Sequence, residues 1–287
     1  LQRRRRDHLA VQPSRLSAQR DRGALGGVMT NDRRTAEAAA ILLAARANGQ
    51  RPSDFPESCR PATRQEAYAI QAMIAPSLGP IGGWKVGSPS PDAEPMCSAL
   101  PSSGILRSPA IVPGPFRYRG VETEIDFCIG RPLPPRSEPY TRREILAAIE
   151  SCHAAIEIVE CRFAEMDGAT HLSALADLQN HHALILGAAN AAWREIAFDR
   201  LTVRVTVDGA RIAEGTGSNP AGDPIALLVW LANHGSLWAG GLKAGDIVTT
   251  GSWIGKIPVP PEATIVSSFE GFPPVEARLG DTDLTAQ

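Results

Sequence analysis

Two glutamates one residue apart, Glu122 and Glu124, stand in a segment, 121–129, whose alternation of apolar and polar residues reads as a β-strand. Positions i and i+2 of a strand project from the same face, so the two carboxylates point into the same few ångströms of space. Like charges that close repel unless a cation lies between them, although an exposed acidic strand face would relieve the pair equally well. Glu157 favours the cation. It sits in the apolar run Ala155-Ile156-Glu157-Ile158-Val159, where an unpaired carboxylate would be costly. Three converging carboxylates are hard oxygen ligands suited to Mg²⁺ or Mn²⁺, with coordination positions left for water and a substrate.

Lysine is scarce: the chain holds only Lys85, Lys243 and Lys256, and arginine is its default cation. Lys85 lies in Gly83-Trp84-Lys85-Val86-Gly87, a short apolar strand in which a compact ammonium would suit an anionic ligand; the plainer reading is a surface lysine beside a turn. Glu160 falls on the strand face opposite Glu157 and reads as a structural partner of Arg162. His181 and His182 are neighbours, so at most one faces a pocket, and His182 is taken as the proton carrier with Asp177 as a second candidate acid–base group. Thr249, Thr250 and Ser252, around Gly251, offer hydroxyl and backbone donors to a substrate carboxylate or else form a plain turn. Asn219, before Pro220, is a candidate substrate contact on the same footing. Gly215-Thr216-Gly217 lacks the third glycine of a dinucleotide fingerprint, and Cys152-His153 has no third partner for a nucleophile.

The elements that must position these groups are legible in outline. Capping residues Thr30-Asn31-Asp32 precede a helix ending near Asn48-Gly49, and a second helix follows Thr63. A short strand at 84–87 leads into a lid-like loop at 88–100. Beyond it come a strand at 121–129, a short helix at 142–151, a strand at 155–161, a hairpin around Asp208-Gly209, an amphipathic helix at 224–234, and strands at 247–250 and 263–269. The layout is α+β: a disordered Arg-rich extension (1–28), a helical N-terminal region with the loop (29–112), and a β-rich catalytic domain (113–287).

Composition narrows the function classes. A net charge of −2 over 287 residues, 29 basic against 31 acidic, gives no overall field for nucleic acid or an anionic membrane. The positive excess is local, with seven Arg and two Asp in residues 1–22. No run approaches the roughly 20 apolar residues of a membrane span. Five scattered cysteines without a C-x-x-C pair argue against a zinc ribbon or a disulfide scaffold and point to the cytoplasm.

Five segments in order then resemble one family: Gly83-Trp84-Lys85-Val86-Gly87; Val121-Glu122-Thr123-Glu124-Ile125; Ala155 through Arg162; Gly215-Thr216-Gly217-Ser218-Asn219-Pro220 through Pro224; and Gly245-Asp246-Ile247-Val248-Thr249-Thr250-Gly251. They resemble the 2-keto-4-pentenoate hydratases, a branch of the fumarylacetoacetate hydrolase superfamily that also holds 2-oxohept-3-enedioate hydratase and 4-oxalocrotonate decarboxylase. The resemblance implies a fumarylacetoacetate-hydrolase-like fold of mixed sheets and a β-roll, with a metal on Glu122, Glu124 and Glu157. It also implies Lys85 at the substrate, contacts from Asn219, Thr250, Gly251 and Ser252, and a homo-oligomer. The implied reaction is hydration of a 2-hydroxy-2,4-dienoate in aromatic meta-cleavage catabolism, with decarboxylation of a 4-oxalocrotonate-like acid and then acylpyruvate C–C hydrolysis as alternatives. No Glu–His dyad is apparent in the sequence to support the last.

Two segments depart from the family pattern. Pro101-Ser102-Ser103-Gly104 lacks the aspartate of P-D-x-G, and Ala176-Asp177-Leu178-Gln179-Asn180-His181-His182 stands where many members read A-D-N-A-S-S-G. The carboxylates are untouched by these changes.

Overall fold

Eight strands form one mixed sheet in the computed structural model, which describes residues 33–280. They are β1 (Ile81–Gly87), β2 (Met96–Pro101), β3 (Ile105–Arg107), β5 (Gly120–Ile129), β6 (Ile149–Val159), β7 (His181–Leu186), β10 (Ile247–Thr249) and β11 (Ile257–Pro258). The other five, β4 (Ala110–Pro113), β8 (Thr202–Val207), β9 (Ala210–Thr216), β12 (Thr264–Phe269) and β13 (Val275–Gly280), make a second sheet. The Arg-rich segment 1–28 lies outside the described residues.

The large sheet runs β2-β1-β10-β5-β6-β7-β3, with β11 paired to β5. β2 and β3 stand at opposite ends of that order, yet only Ser102–Gly104 separates them in the chain. Such a link spans at most roughly 14 Å, so the sheet curls until its ends meet, as the resemblance to a β-roll implied. A Cβ on Gly82 of β1 would lie 2.7 Å from the Cα of Ser102 and 3.2 Å from Ile105, which shows how closely the ends approach.

Period-2 alternation on β5 decides which side is which. Val121, Ile125, Phe127 and Ile129 face outward and join Trp84, Ile156, Ile158 and Ile185 in the main core, packed on Val203, Val205, Ile265 and Val275 of the second sheet. Each such side chain, fully buried, contributes roughly 1.5–3 kcal/mol. Glu122, Glu124 and Asp126 occupy the opposite, inner face. There a small plug of Leu100, Ala155, Leu184, Leu186 and Ile247 fills part of the roll.

Helices close one side. α1 (Arg33–Asn48) and α2 (Arg64–Leu78) pack with α4 (His171–Ala176) in a second core around Leu42, Ile70, Ile74, Phe163 and Leu175. Thr63 caps α2 by accepting from the N–H of Glu66, and Thr141 with Glu144 forms a capping box on α3 (Arg142–Ala148). α5 (Pro224–Trp230), capped by Asp223, continues into a π turn at Leu231–Gly235.

Three elements differ from expectation. The loop expected over 88–100 ends at 95, because Met96–Pro101 pairs with β1 as β2. Residues 81–112, grouped from sequence with the helices, supply β1 to β3 and all but the last residue of β4. The α3 helix stops at Ala148, and β6 starts at once and runs to Val159, since Ile149, Cys152, Ala154 and Ile156 are needed in the core. All five cysteines are free. No helix among the described residues is long and apolar enough to cross a membrane.

Candidate metal centre

The register of β5 and β6 sets Glu122 directly opposite Glu157, with Glu124 one pleat along opposite Ala155. The three carboxylates can each offer an oxygen within 4.8 Å of the others. Glu124 and Glu157 are fully buried, while the Glu122 side chain keeps 17% exposure, so the roll opens to solvent at the Glu122 end.

Lys85 reaches this cluster from β1. Its Nζ lies 3.0 Å from Glu122 Oε2 and 2.6 Å from Glu157 Oε2. Burial alone would push its pKa down, but the combined field of Glu122, Glu157 and Glu124 wins and holds it above the ordinary lysine value. The ammonium is therefore a fixed positive charge. The β1 backbone approaches β10 so closely that a Cβ on Gly83 would meet the carbonyl oxygen of Ile247 at 2.1 Å, which explains the glycine beside Trp84.

Each glutamate has its own surroundings. Glu122 is desolvated, yet the Lys85 charge outweighs this and lowers its pKa. Glu124 accepts hydrogen bonds at Oε2 from the Thr249 hydroxyl and, at 2.6 Å, from the N–H of Gly251. Gly251 has φ of 89°, a left-handed conformation that suits glycine and turns that N–H inward. The other oxygen of Glu124 is buried without a partner. Desolvation and the neighbouring Glu157 raise the Glu124 pKa well above the usual carboxylate range. Glu157 is raised to about 7, chiefly by burial, with Lys85 opposing.

Two further residues belong to the cluster. Asp126 follows Glu124 at i+2, is fully buried with both oxygens unpartnered, and is raised well above its usual range by burial and by Glu124. The same alternation that revealed Glu122 and Glu124 runs on through V-E-T-E-I-D, so this residue was legible. His181 lies with Nδ1 2.9 Å from Glu157 Oε1. Burial, then Lys85, Arg162 and Arg46, drive its pKa well below the usual histidine value, and its Nδ1 is the ring nitrogen that faces the carboxylate. This is the Glu–His pair that the sequence does not display, because 24 residues separate its members.

The donor set fits a hard divalent cation. The carboxylates of Glu122, Glu124 and Glu157 surround one ammonium, and an oxygen of Glu124 and both of the neighbouring Asp126 lack partners. Glu122, Glu124 and Glu157 are the residues that would hold the ion.

Other expected site residues are placed elsewhere. Asp177 is spent on arginines: Arg162 Nε lies 2.7 and 2.8 Å from its two oxygens, the Arg162 N–H donates at 2.9 Å, and Arg46 donates at 3.0 Å. That saturation corrects its assignment as an acid–base group. His182 is also corrected: on the opposite face of β7 from His181, it packs on Phe116, with Nε2 3.2 Å from the carbonyl of Pro113. Glu160 is structural as expected, but its partners are Arg51 and the N–H groups of Arg117 and Tyr118 rather than Arg162. Thr250 gives its hydroxyl to the carbonyl of Ile125, and Thr249 is the threonine that meets a carboxylate. Asn219 bridges Thr250 O and Ala221 N, and Ser252 donates to Gly255 O, so both side chains serve the turn. A surface cleft of about 310 Å³ beside Trp193 and Phe198 shares no residue with the carboxylates.

Residues 81–280 match the model of the fumarylacetoacetate hydrolase C-terminal family. The chain is 27% identical over 265 residues to a 2-keto-4-pentenoate hydratase of Paraburkholderia phymatum, covering 88% of this chain and 100% of that protein. A 4-oxalocrotonate decarboxylase of Pseudomonas sp is 28% identical over 134 residues, 46% of this chain and 49% of that one. Among solved structures, the 4-oxalocrotonate decarboxylase of Pseudomonas putida G7 with magnesium and adipate superposes with a TM-score of 0.76 at 21% identity, over 88% of this chain and 99% of that one.

Proposed function

The chain belongs to the fumarylacetoacetate hydrolase family, and from that premise we propose that it is a divalent-metal-dependent hydratase of a 2-hydroxy-2,4-dienoate of the 2-keto-4-pentenoate type. The observation that carries the proposal is the carboxylate triad Glu122, Glu124 and Glu157 with Lys85 inside it. Similarity to hydratases over nearly the whole chain supports the same reading. A Mg²⁺ or Mn²⁺ ion on the triad would supply Lewis-acid polarisation of the substrate's carboxylate and adjacent oxygen.

The chain's own residues divide the remaining work. Lys85, held charged, attracts the substrate carboxylate and stabilises negative charge spread toward the 2-oxygen. Thr249 and Gly251 fix Glu124, and His181 fixes Glu157, so neither swings when a ligand enters. The plug of Leu100, Leu184 and Leu186 keeps bulk water from the inner end of the roll. In the overall reaction a proton reaches the terminal carbon, giving a conjugated 2-oxo-3-enoate. Water then places its hydroxyl on C4 and a proton on C3, giving a 4-hydroxy-2-oxo acid. The reading includes a homo-oligomeric assembly, from the resemblance, and a cytoplasmic location, from the scattered cysteines.

Decarboxylation of a 4-oxalocrotonate-like acid is the second reading, favoured by the likeness to decarboxylases in sequence and fold. One assay separates them. Purified protein is mixed with 2-hydroxypenta-2,4-dienoate and Mg²⁺, with and without EDTA, and the diene absorbance and NMR spectrum are followed. Loss of the diene with 4-hydroxy-2-oxopentanoate formed, abolished by EDTA, is expected. No hydration here, together with CO₂ release from 4-oxalocrotonate, would overturn the hydratase in favour of the decarboxylase.

A further inference from the structure

We infer that His181 is a positioning residue for the metal centre, held on Glu157 by a left-handed turn at 178–180 and by the clamp between Asp177 and Arg162. The inference rests on the divalent-ion reading above and adds to it a residue outside the carboxylate set.

The backbone carries the argument. Leu178, Gln179 and Asn180 have φ of 55°, 52° and 62°. Three consecutive non-glycine residues in the left-handed region persist only where their surroundings over-determine them. Here they do. Arg162 NH2 donates to the carbonyls of Asp177 at 3.1 Å and His181 at 3.0 Å, spanning the turn, while its Nε and backbone N–H grip the Asp177 carboxylate. Glu160 N–H holds the Asn180 carbonyl at 2.8 Å, and the Ser98 hydroxyl holds the Gln179 side chain at 3.0 Å. β7 begins at the next residue, His181, and this is the side chain that meets Glu157.

Glu157 gains an orientation from this. One oxygen faces the imidazole N–H and the other faces Lys85, so its carboxyl plane is set from two sides. A carboxylate so fixed presents the same oxygen to an ion each time, which is what a ligand needs from its hydrogen-bond partner. The site accommodates an imidazole closely: a Cβ on Gly104 would come within 3.2 Å of His181 Nε2.

The test is Mn²⁺ affinity of EDTA-stripped full-length protein, read by electron paramagnetic resonance of free Mn²⁺, for wild type, His181→Leu and His181→Asn. The Asn amide nitrogen stands where the imidazole Nδ1 stands and keeps the donor. Leucine keeps the bulk and loses it. A 10- to 100-fold weaker Mn²⁺ affinity is expected in His181→Leu, with His181→Asn within about threefold of wild type if the donor is what matters. Circular dichroism melting confirms folding of each variant, and His181→Asn provides the comparison should leucine unfold the chain. Wild-type affinity in His181→Leu, or an equal loss in both folded variants, overturns the positioning role while leaving the metal reading intact. Failure of the wild type to bind Mn²⁺ overturns the metal reading and the inference with it.

Discussion

At Asp177 two arginine side chains and a backbone N–H meet one carboxylate, and Glu160 nearby has Arg51 and two backbone N–H groups for its two oxygens. On the inner face of the roll, Glu122, Glu124 and Glu157 share one lysine with Asp126 beside them, and three oxygens of Glu124 and Asp126 have no partner. Both clusters are buried and both join distant segments. The carboxylates of the first are satisfied by the protein itself, although Nε of Arg46 and of Arg51 has no partner, and they hold α1 and the loop after α4 against the end of β6. The second is left short of positive charge by the strand register, and the proposed divalent cation is the group that would complete it. Balance of charge, rather than the mere presence of buried acids, separates the structural cluster from the functional one.

Removing one carboxylate from each cluster should therefore have opposite consequences. Glu124→Gln is expected to lower dienoate turnover at least a thousandfold, roughly 4 kcal/mol of lost transition-state stabilisation, while the metal-free variant melts no lower than wild type because a neutral amide replaces a buried acid one of whose oxygens has no partner. A marked drop in the melting temperature of that variant would erase the contrast. Asp177→Asn leaves Arg162 and Arg46 facing a neutral amide in a buried setting, and a loss of roughly 3–5 kcal/mol in urea unfolding is expected. Unchanged stability would mean the arginines are not organised by this carboxylate.

pH sharpens the comparison further. An acid whose pKa is raised on folding is more protonated in the folded state, so stability falls as pH rises from its unfolded to its folded value. Glu157, raised to about 7, by itself predicts that the metal-free protein loses roughly 1–3 kcal/mol between about pH 5 and pH 7.5, and the raised Glu124 and Asp126 act in the same direction. Glu122, lowered by Lys85, acts with the opposite sign and only below its unfolded value of 4.5. Protons and metal compete for the same oxygens, so stabilisation by Mn²⁺ should grow over the same interval. Melting curves with EDTA and with Mn²⁺ at both ends of the interval provide the check, and a metal-induced shift independent of pH would count against the triad as ligands. The smallest effect is reserved for His182→Ala, which removes a half-buried contact with Pro113: about 1 kcal/mol or less in stability and unchanged turnover, as measured by urea unfolding and the diene assay.

Strand alternation made much of this legible before any coordinates. The glutamates of β5, the acid in the middle of β6 and the lone lysine of β1 all stand out because a strand exposes alternate residues, and Asp126 was available by the same rule. The helix start after Thr63 and the Asp208-Gly209 hairpin were equally local. What stayed hidden depends on meetings between distant segments. His181 and His182 are indistinguishable in sequence, and only the left-handed turn before them decides which ring turns inward. Asp177 looks like an acid–base group until Arg46, 131 residues away, is seen on it. β2 reads as a loop because its serine and proline content hides a strand that pairs with β1 at the end of the large sheet.

The central claim is that Glu122, Glu124 and Glu157 hold one divalent ion, and the most direct measurement is a Mn²⁺ titration by calorimetry of EDTA-stripped wild type beside Glu124→Gln. The account predicts about one ion per chain in the wild type and no saturable binding in the variant. Equal stoichiometry and affinity in the two proteins, or no binding in the wild type, would contradict it.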